Sequence, residues 1–313
     1  MARDHMDNPS GCVCYIVNNG YLLPALVSAS QARRHTPKSV ADIVIVIVDR
    51  PHAEAAAFGE AAKSLSVEIL YAQASDINNM HIMFARLFLD RLLSERYTRI
   101  VYIDGDTQVD GDLTPLFEVR VEDGHFLACR DPAHMFAQLS STWRRRIDAE
   151  RAAIDYQGPS DRYFNSGVLV VDRSSWPELA RKCLDLADRR GQTMKFPDQD
   201  ILNLAIGDRC RLISHRWNFP GFLIGSAAET KVQPRIYHFM SNPRPWIVAA
   251  PPWGTQRLRP YQDLLAQHPA LAFLKPAGSI ASVVRAHLAQ TLKMALEYNR
   301  VGAYSETAPD IAD

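Results

Sequence analysis

Short apolar runs alternate with helix-length amphipathic segments through the first hundred residues of the chain. Cys12–Val17 (CVCYIV) reads as a buried strand that stops at the turn-prone Asn18-Asn19-Gly20. A helix is expected from Leu22 to Arg34. Asp42–Asp49 (DIVIVIVD) then places six consecutive β-branched residues between charges, the pattern of a strand covered on both faces. An alanine-rich helix from His52 to Ser64 leads to a strand at Val67–Tyr71, and a helix over Met80–Glu95 precedes the strand Arg99–Asp104. This β-α-β-α-β succession predicts a parallel sheet with helices on both faces. Ligands of such sheets bind at the carboxyl ends of the strands, so functional residues are expected just after CVCYIV and just after RIVYI.

The second half continues with strands at His125–Cys129 and Tyr163–Asp172 (YFNSGVLVVD) and a helix from Trp176 to Arg190. Shorter strands follow at Arg211–His215 and Arg235–Phe239. Phe136–Tyr156 reads as a charged, exposed helical insertion; its Trp143-Arg144-Arg145-Arg146 run suits either a solvated face or contact with an anionic glycan. The Pro-rich segment Pro243–Pro252 marks the end of the regular domain. We therefore expect a catalytic domain over residues 12–253 and a C-terminal helical extension over 254–313, with an amphipathic helix at Ser279–Tyr298.

Composition narrows the partners. The 313 residues carry 35 basic and 35 acidic side chains, a formal net charge of zero. That balance disfavours a nucleic-acid binder, which needs a basic field to displace counterions from phosphates. No run reaches the roughly 20 apolar residues that span a bilayer. Residues 1–11 are polar and contain no apolar signal-peptide stretch. The five cysteines have no C-x-x-C spacing, so neither a disulfide framework nor a zinc site is expected. The chain reads as a cytoplasmic protein.

Asp104-Gly105-Asp106 directly follows a predicted buried strand. Two aspartates so placed can share one divalent cation, and their oxygens suit Mn²⁺ or Mg²⁺. The triplet gains its meaning from position, because Asp110/Asp112 and Asp198/Asp200 repeat the spacing. Asp110-Gly111-Asp112 precedes Leu113-Thr114-Pro115 and reads as an Asx turn.

YIDGDTQVDGDLTPLF, YFNSGVLVVD, FPDQDILN and YHFMSNPRPW occur in that order, and with that spacing the chain resembles glycosyltransferase family 8, from Cys12 to about Trp246. The resemblance implies a GT-A fold: a Rossmann-like, mostly parallel α/β sheet flanked by helices. It also implies a retaining, Mn²⁺-dependent transfer of a hexose, galactose or glucose, from a UDP-sugar donor to a saccharide acceptor. That acceptor would be a lipopolysaccharide or another surface glycan. Asp104 and Asp106 resemble the family's metal- and diphosphate-binding aspartates, and His238 the histidine that completes the metal site. Arg86 matches the arginine at the donor sugar and phosphate, and Asn165 a donor-sugar contact. Asp198 and Gln199 match the pair that reads the sugar hydroxyls beneath the anomeric carbon. Asn18 and Tyr21 match the uracil-binding turn. Ser241 stands where a glycine commonly approaches the diphosphate, Arg244 replaces the usual lysine, and Gly105 leaves the ribose side of the site bare.

Taken without the resemblance, His238 between Tyr237 and Phe239 fits a core histidine, and Arg86 fits a helix-surface ion pair. A uronic-acid-dependent transferase of the same fold and a metal-dependent nucleotidyltransferase or phosphohydrolase share the acidic pair. The latter calls for a Gly-rich phosphate loop after the first strand, which Asn18-Asn19-Gly20-Tyr21 is not. A non-catalytic sugar-binding relative would have lost metal ligands that are present here. Residues 278–300 carry three basic residues (Arg285, Lys293, Arg300) against Glu297. This weakly basic amphipathic stretch suits peripheral contact with a membrane's inner face, or docking on the domain or a partner.

Overall fold

The computed structural model describes residues 9–190, 194, 196–276, 284, 288, 291, 304, 306 and 308–311. Most of the helix expected at Ser279–Tyr298 lies outside the described residues; Val284, Leu288 and Thr291 are helical.

A seven-stranded sheet forms the centre. Its strands are β1 (Gly11–Val17), β2 (Ala41–Val48), β3 (Glu68–Ala72), β4 (Arg99–Ile103), β6 (Phe126–Arg130), β7 (Phe164–Asp172) and β8 (Cys210–Ile213). They lie in the order β3-β2-β1-β4-β7-β6-β8. Strands β1 to β4 pair in parallel, as do β6 and β8, while β7 runs antiparallel to both β4 and β6. The sheet is thus mostly parallel, with one reversed strand that hydrophobic periodicity cannot reveal, since β7 is apolar on both faces like its neighbours. A second, three-stranded sheet orders β5 (Thr107–Val109), β10 (Ile236–His238) and β9 (Phe219–Pro220).

Two cores explain the unbroken apolar runs. Val13, Tyr15 and Val17 of β1 join Ile43, Ile45 and Ile47 of β2 on one face. Cys12, Cys14 and Ile16 join Val44 and Val46 on the other. Side chains alternate across a strand, so both sides of the sheet are dry. All five cysteines are free and buried. Helix α1 (Leu22–His35) covers the first face, with Arg33, Arg34 and His35 in its last turn, where positive charge complements the helix dipole. Helix α10 (Gly254–Gln267) sends Tyr261 and Leu264 into that same core.

Three local differences from the periodicity have physical causes. The segment expected as one helix over Met80–Glu95 is a 3₁₀ helix, Ile82–Phe88, followed by the short α3 (Leu89–Leu92). Phe84 to Leu89 are all buried, so packing on every side overrides the single-face pattern. The charged insertion forms two helices, α5 (Ala133–Leu139) and α6 (Ser141–Ala153). Met135 and Phe136 of α5 join a third apolar cluster, whereas Arg144, Arg145 and Arg146 lie on a solvated face. Helix α8 (Pro197–Ile206), absent from the sequence reading, starts with proline in its first turn beside Asp198 and Asp200, a strong helix-start signal.

Described residues near the C-terminus return to the domain. Glu306 Oε2 accepts from the His215 backbone N–H and lies against its Nδ1, both at 2.9 Å. Asp310 pairs with Arg216 at 2.7 Å, and the Pro309 carbonyl accepts from Ser214 N–H. Despite burial, His215 holds the Glu306 carboxyl at about 2, below its ordinary 4.5. A depressed carboxylate stabilises the fold above its unfolded pKa and loses that contribution as pH falls through the folded one. Glu306→Gln is therefore expected to cost about 2 kcal/mol at neutral pH, as for a hydrogen bond to a charged group. The difference from the parent should close as pH drops from 4.5 toward about 2. Thermal denaturation across that range checks it; a pH-independent difference would refute the assignment.

Candidate active site

The acidic triplet links the two sheets. Asp104 follows β4, and its N–H donates to the Gly167 carbonyl of β7 at 2.8 Å. Asp106 opens β5, and its carbonyl accepts from Phe239 N–H at 2.8 Å. Antiparallel pairing of β10 with β5 sets His238 opposite Thr107. A residue 132 positions downstream of Asp106 thereby reaches the same point.

The ligand atoms of Asp104, Asp106 and His238 all lie within 4.8 Å of one another. His238 Nε2 is 3.2 Å from Asp106 Oδ1 and 3.8 Å from Asp104 Oδ2. The remaining carboxylate oxygens are engaged elsewhere. Asp104 Oδ1 accepts from Arg86 Nη2 at 3.0 Å and from the Tyr102 hydroxyl at 2.6 Å. Asp106 Oδ2 accepts from Arg244 Nη1 at 2.6 Å. Each aspartate therefore turns one oxygen to a neutralising arginine and one oxygen toward the histidine. This donor set, two oxygens and an imidazole nitrogen, fits a divalent cation. In the loop after β10, the Ser241 hydroxyl is buried without a hydrogen-bond partner among the described residues, as a donor reserved for a ligand oxygen would be.

The charges are strongly coupled. Burial raises the Asp104 carboxyl against the opposing pull of Arg86 and His238. Burial also acts to raise Asp106, yet His238 and Arg244 outweigh it and hold that carboxyl well below the ordinary range. Burial would lower His238, but Asp106 and Asp104 reverse the effect and raise it. A cation entering here competes with a proton on His238 Nε2.

Arg86 is an internal tie, in place of the surface ion pair its sequence context suggests. It is 6% exposed, bonds Asp104, and lies 3.3 Å from Asp198 Oδ2. It also donates to the Ser166 and Met83 carbonyls. Asp198 accepts from the Ser166 hydroxyl at 3.1 Å. The Gln199 oxygen accepts from Asn165 Nδ2 at 2.8 Å and from Ser166 N–H at 3.3 Å, and its nitrogen donates to Asp131 at 2.7 Å. His238 is buried, as a core residue would be, but it aims a nitrogen at two carboxylates.

At the carboxyl ends of β1 and β2, Asn18 Oδ1 accepts from Gly20 N–H at 3.1 Å and caps the turn. Asn19 bonds the Arg50 carbonyl. The half-buried Tyr21 ring meets Trp246 edge-on, with centroids 5.9 Å apart, and the Arg244 guanidinium lies over that indole. A Cβ at Gly105 would meet Val17 Cγ1 at 2.8 Å, so β1 closes in on this position. Asp110/Asp112 stands apart from the site: Asp112 Oδ1 accepts from Thr114 N–H and Oγ1, the expected Asx turn, and Asp110 pairs with Arg257.

Sequence reasoning passes over Tyr102, Asp131, Ser166 and Asn218. Asp131 had a signal, since it lies two residues past the strand expected to end at Cys129 and directly after the observed β6, close to the position that singled out Asp104. Asn218 and Ser166 had none.

Gly167 is required by the histidine. A Cβ there would lie 2.6 Å from His238 Nδ1 and 2.9 Å from Asn165 Oδ1. Gly167→Ala is expected to displace the ring and weaken any divalent-cation binding at least about tenfold, or about 1.4 kcal/mol. Titration followed by the paramagnetic signal of free Mn²⁺ checks this; unchanged affinity would show that the ring has room to move.

The chain is similar to known proteins in sequence and in fold. Over 178 residues the chain is 26% identical to Glycosyltransferase GlyE of Streptococcus pneumoniae, covering 53% of this chain and 37% of that protein. It is 27% identical over 138 residues to the Lipopolysaccharide 1,2-glucosyltransferase of Escherichia coli K12, covering 44% and 38%. The matched stretch thus spans under two fifths of these relatives' own length. In fold, the chain is similar to the galactosyltransferase LgtC solved with donor and acceptor sugar analogs, with TM-score 0.63, 18% identity and coverage of 82% of this chain and 96% of that one. The Glycosyl transferase family 8 model matches residues 12–249, and on that match the chain belongs to glycosyltransferase family 8.

Proposed function

We propose that this glycosyltransferase moves a hexose, galactose or glucose, from UDP to a saccharide acceptor of the lipopolysaccharide or surface-glycan class, with retention and with Mn²⁺. The convergence of Asp104, Asp106 and His238 carries the reading. A mixed oxygen and imidazole set favours Mn²⁺ over Mg²⁺, which prefers oxygen alone. Bound there, the metal would neutralise charge developing on the leaving diphosphate. Arg244 and the unpartnered Ser241 hydroxyl would bind diphosphate oxygens, and Arg86 the sugar-phosphate side. Asn18 and Tyr21 would hold the base, and Asn165 the donor sugar.

Retention by double displacement needs a free carboxylate beneath the anomeric carbon. Gln199 is an amide whose oxygen already accepts two hydrogen bonds. Asp198, the alternative nucleophile, is held by Arg86 and Ser166. Front-face attack is therefore favoured: the acceptor hydroxyl forms the new C–O bond on the side from which phosphate departs. The departing phosphate takes its proton, while the Gln199 carbonyl dipole steadies the oxocarbenium-like centre. NMR of the first-formed product should show the donor's anomeric configuration. An inverted anomer, or a glycosyl group trapped on Asp198 in Gln199→Ala, would overturn this mechanism.

Among the described residues no helix is long and apolar enough to cross a membrane. We place the enzyme in the cytoplasm with peripheral membrane contact through residues 278–300, where Val284 and Leu288 are exposed. Equal liposome sedimentation with and without residues 270–313 would refute that contact.

A further inference from the structure

One hydrogen-bond chain joins the metal-site histidine to the sugar-side amide, and its direction can be read residue by residue. Asp131 Oδ1 lies 3.6 Å from Arg151 Nη2, and Asp131 Oδ2 faces Gln199 Nε2 at 2.7 Å. A carboxylate only accepts, so Gln199 must donate there and turn its oxygen to Asn165. The Ser166 backbone N–H, 3.3 Å from that oxygen, fixes the same orientation independently. Asn165 must then donate through Nδ2 at 2.8 Å, which leaves its own oxygen toward Asn218. Here too a backbone donor agrees, with Gly167 N–H 3.0 Å from Asn165 Oδ1. Asn218 consequently donates Nδ2 to Asn165 at 2.7 Å and presents Oδ1 to His238 Nδ1 at 3.0 Å. An amide oxygen cannot donate, so His238 Nδ1 carries its own hydrogen, and Nε2, which faces the Asp106 and Asp104 carboxylates, is the nitrogen whose proton yields to a cation.

We infer that Asn218 is a positioning residue that holds His238 in the Nδ1–H tautomer, its own orientation imposed through Asn165 and Gln199 from Asp131. The inference rests on the metal-site reading above. Asn218 is 1% exposed, and neither of its amide atoms faces solvent, so its side chain acts on the site through His238 and Asn165. Hydrogen bonds of this kind to a ligating histidine are commonly worth 10–100-fold in metal affinity. The chain also gives the donor-sugar and metal subsites a shared mechanical link: an amide flip at any member would leave two like groups facing each other.

Two measurements test this. In metal-free protein at a pH where imidazole is neutral, ¹⁵N NMR should show the His238 resonance as Nδ1–H, assigned by its disappearance in His238→Gln. Asn218→Leu should shift it toward Nε2–H and weaken Mn²⁺ binding about 10–100-fold. Asn218→Asp keeps an acceptor for Nδ1–H but sets an oxygen against Asn165 Oδ1 in place of a donor, so it should retain the tautomer while disturbing the Asn165 end of the chain. An Nε2–H ring in the parent protein would overturn the inference without any variant, and so would parental Mn²⁺ affinity in a folded Asn218→Leu. If the parent itself binds no Mn²⁺ while the tautomer shift is seen, the metal reading fails and the positioning role stands.

Discussion

Asp106→Ala is expected to lower sugar transfer about 10³-fold or more while leaving the fold intact. The substitution removes the oxygen 3.2 Å from His238 Nε2 and the carboxylate facing Arg244 at 2.6 Å. Lewis-acid stabilisation by a metal is worth several kcal/mol, and each 1.36 kcal/mol is tenfold in rate. The backbone carbonyl of residue 106 still accepts from Phe239 N–H, so the link between the sheets survives. Thermal denaturation and Mn²⁺ titration on the same sample separate the two effects. The variant should fold but melt below the parent, because Arg244 and His238 lose a buried partner, and it should bind Mn²⁺ weakly; tight binding would remove Asp106 from the ligand set.

Arg86→Met should act on stability as well as activity. The guanidinium is buried between Asp104 and Asp198 and also satisfies the Ser166 and Met83 carbonyls. Methionine fills similar volume but leaves two acidic groups and two carbonyls without their partner. Removing one member of a buried ion pair typically costs about 3–5 kcal/mol, because the other charge stays behind. Bound Mn²⁺ would compensate Asp104 and leave Asp198 exposed to the loss, so saturating metal is expected to restore only part of the stability. Urea denaturation with and without Mn²⁺ reads both quantities. A loss under about 1 kcal/mol would mean that Arg86 is a solvent-screened pair.

How much of this was legible beforehand follows the range of each interaction. The β1 and β2 strands stand out because both faces of each are apolar, and the placement of Asp104 follows from the end of RIVYI alone. The reversed direction of β7 depends on its hydrogen-bond partners, Arg99–Ile103 and Phe126–Arg130, which no local pattern encodes. Arg86 and His238 have innocuous local contexts and gain meaning only through the family resemblance or the tertiary contact. The Asp131–Gln199–Asn165–Asn218–His238 chain draws on five separate stretches of sequence. Nothing marks Asn218 in Trp217-Asn218-Phe219, whereas Asp131 at a strand end was open to the reasoning that found Asp104. The 3₁₀ segment that positions Arg86 was hidden because burial on all sides replaces the helical stripe.

In the proposed function, Asp104, Asp106 and His238 hold the divalent cation that activates a UDP-sugar. The most direct test of that role is the release of UDP from a panel of nucleotide sugars with Mn²⁺, run in parallel with the parent chain and Asp106→Ala. The parent is expected to turn over UDP-galactose or UDP-glucose, and chelation and the substitution are each expected to abolish that turnover. Turnover that survives both, or a parent that consumes no nucleotide sugar, would contradict that role.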